Sequence, residues 1–103
     1  MKIIAVANKY KNLYYLDKDF SVLPIEIKNQ IKISLVLSCE KIGGLIKLYF
    51  DDKGQIRLEA LKEENDYTYD EILAKMTIKK IENELKDILI KLELYYKTKE
   101  NLL

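Results

Sequence analysis

Residues 24–42 read PIEIKNQIKISLVLSCEKI and run into Gly43-Gly44. Two periods are superimposed there. Ile27, Ile31, Leu35 and Ile42 fall near one face of a helix, with the small Ser34 and Ser38 between them. Ile31, Ile33, Leu35 and Leu37 also alternate strictly, as a half-buried strand does. On the helical reading Pro24 sits in the first turn, where its missing N–H has no partner to lose. Gly43-Gly44 is then the C-terminal stop. These end signals favour a helix over 24–42, and the β-branched content keeps the strand as its rival.

The flanks are read from either end of that segment. Residues 2–8 are β-branched and small, Asn8 to Asn12 offers turn chemistry, and Leu13 to Leu16 resumes an apolar run. Together they predict a β-hairpin that ends at Asp17-Lys18-Asp19. After the two glycines, Leu45, Lys47 and Tyr49 alternate with Ile46, Leu48 and Phe50. Asp51-Asp52-Lys53-Gly54 is a turn, and Ile56, Leu58 and Ala60 then alternate against Gln55, Arg57 and Glu59. This is the clearer of the two hairpins.

A second helix follows the acidic loop Glu63–Asp66. Thr68 is the expected N-cap, Glu71 its capping-box partner, and Tyr67 with Ile72 a hydrophobic staple. Ile78, Ile81, Leu85, Ile88, Leu92 and Tyr95 form an apolar stripe at helical spacing, widened by Ala74, Leu89 and Tyr96. The helix runs to about Thr98 or breaks near Met76-Thr77. The element order is β-β-α-β-β-α. The expected fold is α+β: a small antiparallel sheet of about four strands, with two helices packed on one face. The length of 103 residues predicts one domain, 1–103.

Composition excludes more than it identifies. The chain has no histidine, which removes Ser-His and Cys-His nucleophiles and the commonest metal ligand. Cys39 is the only cysteine, so no intrachain disulfide can form, and a reducing cytoplasm is expected. Its apolar neighbours make it a small buried hydrophobe. The net charge is +1, with 17 lysines interleaved with 17 acids and a single arginine, Arg57. No basic surface is concentrated, so no nucleic-acid partner is expected. The apolar run Ile3–Ala7 is too short for a signal peptide, and no stretch is long enough to span a bilayer.

Gly43-Gly44 lacks the further glycines of a phosphate loop. Asp51 to Gly54 lacks the alternating oxygens of a calcium loop. Glu63, Glu64, Asp66, Asp70 and Glu71 read as a solvated loop with helix-cap chemistry. No catalytic, cofactor or metal residue is expected.

What remains is surplus apolar surface. Ile90 and Leu94 fall nearly opposite the stripe, with Met76 behind them and Asp87 and Lys91 at the rim. Of each tyrosine pair, Tyr14-Tyr15 and Tyr95-Tyr96, one ring is expected inside and one at the edge. The expected function is a non-enzymatic protein-binding or scaffold domain that self-associates as a homodimer. Its candidate interface is Ile90, Leu94, Tyr95 and Tyr96. The alternative is a small ligand-binding protein or enzyme with carboxylate, Lys and Tyr groups in a sheet–helix cleft.

Tyr14-Tyr15-Leu16, Leu23-Pro24, Ile42-Gly43-Gly44, Phe50-Asp51 with Gly54, and Leu92-Glu93-Leu94-Tyr95-Tyr96-Lys97 are spread over most of the chain. In them it resembles a family of short, uncharacterised proteins of Gram-positive, Clostridia-like bacteria. That resemblance implies no activity. The element order is also similar to the profilin-like and roadblock/longin platforms, which mediate protein contacts. Those platforms usually have five strands, and four are read here.

Overall fold

The computed structural model describes the backbone of residues 1–102 and the side chains of residues 1–99. The strands are β1 (Lys2–Asn8), β2 (Leu13–Leu16), β3 (Leu45–Phe50) and β4 (Ile56–Leu61). They form one antiparallel sheet in the order β2-β1-β3-β4. Both expected hairpins are present, and the long segment between them docks β3 against β1. Alternation then sorts the side chains. Ala5, Ala7, Ile46, Leu48 and Phe50 point to a buried face, and a register shift between Ile3 and Ala5 adds Ile4 to it.

The helix reading of 24–42 is correct. α1 spans Ile25–Ile42 and buries Ile31, Leu35, Cys39 and Ile42. Ile33 and Leu37 are 57% and 64% exposed, which no strand through all four alternating residues would give. Gly43 ends the helix at φ 77°, donating its N–H to Cys39 O at 2.8 Å. Gly44 follows at φ 68°, and a Cβ there would collide with the carbonyl oxygen of Leu61. Glycine is therefore needed both to stop the helix and to let β3 start close against the end of β4.

The C-terminal part differs from expectation in four ways. First, the N-cap of α2 (Glu71–Glu84) is Asp70, not Thr68. Asp70 Oδ1 accepts the N–H groups of Ile72 and Leu73, each at 3.0 Å. Thr68 instead donates its N–H and hydroxyl to Asp66, at 3.1 and 2.7 Å. A carboxylate beside a helix start competes well for the cap, because it accepts two N–H groups and complements the dipole. Second, the Tyr67–Ile72 staple does not form, since both side chains are strongly exposed. With the cap at Asp70, those residues no longer occupy staple positions.

Third, the interruption falls at Leu85, not at Met76-Thr77. Leu85 has φ −101° and ψ 12°, and α3 (Lys86–Leu102) follows, so three helices cover the sheet. No proline or glycine is present there. Hydrogen bonding continues across the interruption, Leu85 donating its N–H to Ile81 O at 2.9 Å and Leu89 donating to Leu85 O at 2.8 Å, so the stripe stays on the core. Fourth, the buried row Ala74, Thr77, Ile81, Leu85, Leu89 and Leu92 continues at helical spacing to residue 96. Tyr96, not Tyr95, turns inward and stacks on Phe50, with ring centroids 4.0 Å apart and planes at 7°. Ala74, Ile81, Leu85, Leu89 and Leu92 are buried as expected.

All three helices lie on one face of the sheet. The opposite face carries Val6, Leu45, Lys47, Tyr49, Arg57 and Glu59 with no helix over it.

Candidate functional site

Surface chemistry has to be sought among residues that the core leaves over. Ile90, Leu94 and Tyr95 of the expected interface stay about half exposed or more, at 48%, 61% and 48%. Tyr96, the fourth member, is committed to Phe50 and reaches the surface only in part. Asp87 and Lys91 are exposed beside them, as a charged rim requires. Ile90 also borders a groove of about 330 Å³ with Ile56, Arg57, Leu58 and Glu93. The apolar patch of α3 is therefore continuous with the outer strand β4.

The first hairpin does not reach that patch. Tyr14 packs against α1, in a groove shared with Lys32, Val36 and Cys39, and Lys32 Nζ lies 5.8 Å from its ring centre. Tyr15 is half exposed and donates its hydroxyl to Asp17 at 3.1 Å. One ring of each tyrosine pair is inside and one outside, as expected.

Three further grooves flank the helices. Tyr14 Oη in one, and Thr77 Oγ1 in the α1–α2 groove of about 540 Å³, are buried hydroxyl oxygens with no protein partner. The largest of these three, about 650 Å³, runs between β4 and α2. Its apolar wall is Leu58, Ala60, Tyr69, Ala74 and Ile78, and Lys62, Glu71, Lys75, Lys79 and Glu82 surround it.

The reactive groups are quiet. Burial pushes the Cys39 thiol above its ordinary range, and its Sγ lies 3.2 Å from Gly44 O. A protonated, enclosed thiol is a poor nucleophile. Asp51 is held below the usual carboxylate range by the N–H of Gln55 first, and by Arg57 among lesser partners. Asp66 is lowered chiefly by the Tyr10 hydroxyl, which donates to it at 2.6 Å. Each is explained by a turn or loop contact. Among the described residues, no group of three His, Cys, Asp or Glu could hold a metal ion, and no helix is long and apolar enough to cross a membrane.

The helix-free face follows from helices packed on one side of the sheet, but the free edge of β4 was not legible in the sequence. Strand order decides that edge, and one sequence shows which residues alternate but not which strand ends up outermost.

The chain belongs to DUF6145, a family of unknown function, whose model matches residues 1–101. No curated protein and no solved structure matches it.

Proposed function

We propose that this protein is a non-enzymatic protein-binding domain that self-associates, with Ile90, Leu94 and Tyr95 on α3 as its contact surface and Tyr96 anchoring that surface from below. The observation that carries the reading is the exposed apolar patch on a helix whose inward stripe is already filled by Leu89, Leu92 and Tyr96. A helix packed on one side has no need of apolar residues on the other. A bacterial cytoplasm belongs to the same reading, supported by a single cysteine that is buried and reduced. The likeness to profilin-like and roadblock/longin platforms supports it by element order alone.

Sedimentation of the wild type beside Ile90→Lys with Leu94→Lys tests the reading. A wild-type dimer at tens of micromolar is expected, lost in the variant while circular dichroism stays unchanged. A dimer indifferent to both substitutions removes the α3 patch as the contact.

The alternative, a ligand-binding cleft between sheet and helices, has the unpaired Thr77 and Tyr14 hydroxyls in its favour. Buried polar groups without partners are what a polar ligand would satisfy. Melting-temperature shifts of the wild type and Thr77→Val, screened against small carboxylates and amines, separate the two. A stabilising compound whose effect vanishes in Thr77→Val would favour the cleft.

A further inference from the structure

β4 is an outermost strand, and its ladder shows which backbone groups are free. Asp51 donates its N–H to Gln55 O at 2.9 Å, and Lys9 donates to Gly44 O at 2.8 Å. Hydrogen-bonded pairs alternate in an antiparallel ladder. From both ends of β3 the count agrees: Tyr49↔Arg57, Lys47↔Glu59 and Leu45↔Leu61 are the bonded pairs toward β4. Arg57, Glu59 and Leu61 therefore aim their N–H and C=O groups at β3, and Ile56, Leu58 and Ala60 aim theirs outward. Among the described residues, no hydrogen bond reaches that outer edge. The loop after β4 does not cover it. That loop crosses toward the first hairpin, where the Tyr10 hydroxyl donates to Asp66 and accepts the Glu63 N–H at 3.0 Å.

We propose that β4 pairs antiparallel with β4 of a second copy about a two-fold axis at Leu58, joining two four-stranded sheets into one. This deepens the self-association reading above and rests on it. Directly opposed residues share a face, so the helix-side residues of one copy must oppose those of the other. Axes at Glu59 or Arg57 meet that condition, but they set Glu59 against Glu59 or Arg57 against Arg57. Like charges directly opposite are destabilising. An axis at Leu58 sets Arg57 against Glu59 of the second copy, twice. It also opposes Leu58 to Leu58 and Ile56 to Ala60, the residues whose backbone groups point outward. All three axes pair outward-pointing residues and so satisfy the backbone hydrogen bonds; charge selects the one at Leu58.

Both charged side chains have capacity left. Arg57 donates to Asp51 at 3.1 Å and Gln55 at 3.0 Å, and its side chain is 56% exposed. A guanidinium has five donors. Glu59 accepts one bond, from the Tyr49 hydroxyl at 2.9 Å. On the helix side, the second copy closes the groove walled by Leu58, Ala60 and Ile78. Ile90, beside Ile56 and Leu58, comes to lie under it.

The test is sedimentation of full-length Arg57→Glu, Glu59→Arg and the double swap, together with amide hydrogen exchange of the wild type. Each single reversal creates two like-charged pairs and should weaken the dimer at least about tenfold. The double swap should restore it to within about threefold, since it exchanges the partners. Wild-type amides of Ile56, Leu58 and Ala60 should become protected as concentration rises. A monomer at all concentrations, or a dimer in which those amides stay exposed and the reversals do nothing, overturns the β4 register. If that same dimer is lost in Ile90→Lys with Leu94→Lys, the α3 surface survives on its own.

Discussion

Phe50 and Tyr49 are neighbours on β3 and belong to different worlds. Phe50 lies on the covered face, fully buried, stacked on Tyr96 and 6.1 Å from the ring of Phe20. Tyr49 lies on the bare face, donating to Glu59, with Lys47 Nζ 4.7 Å from its ring centre. One residue of pleat separates a core anchor from a surface cross-strand contact. The covered face holds the buried core, and among the described residues the bare face and the outer edge of β4 have no helix or strand against them.

That contrast is broken most strongly by truncating each residue in turn. Phe50→Ala should cost about 3–5 kcal/mol, the range for a large buried ring. Tyr49→Ala should cost about 1 kcal/mol or less, as for a cross-strand surface pair. Urea unfolding of both variants measures the difference. Comparable losses would mean that the bare face also carries the fold.

The next test sharpens the same contrast at the joint between α2 and α3. Leu85 is buried where α2 ends and α3 begins. Leu85→Ala should cost on the order of 2–5 kcal/mol. An unchanged unfolding midpoint would place the joint outside the cooperative core.

Much of this contrast could be read before the structure. Alternation in Leu45–Phe50 and Ile56–Leu61 already separates the faces, and the diglycine after Ile42 ends α1 where it does end. Local signals with one physical solution were legible. Competing ones were not. Thr68 and Asp70 both offer cap chemistry two residues apart, and loop contacts from Tyr10 to Asp66 hold Thr68 in a turn. The interruption at Leu85 has no local breaker, and between Tyr95 and Tyr96 the inward ring is the one that continues the buried row of Leu85, Leu89 and Leu92. The α3 patch was legible because Ile90 and Leu94 fall off any helical stripe through Leu85 and Leu92. The β4 edge depends on strand order, which no local pattern encodes.

The cap gives a smaller, local measure of that competition. Asp70→Ala should cost about 1 kcal/mol by orphaning two N–H groups at the start of α2. Thr68→Ala should cost about 0.5 kcal/mol or less, because only an exposed turn contact is lost. Equal losses in thermal melts would return Thr68 to the cap.

The smallest expected effect has the opposite sign. Thr77 is 3% exposed on the α2 face that meets α1, and its hydroxyl has no protein partner. A helical threonine often satisfies its hydroxyl with the carbonyl one turn back, and this one does not. The buried oxygen therefore carries a desolvation cost without a compensating bond. Thr77→Val replaces it with a methyl group at nearly equal helix propensity. The variant should be more stable by up to about 1 kcal/mol. A loss of that size instead would mean that a buried water or a ligand group completes the hydroxyl, and the α1–α2 groove would then be polar by design.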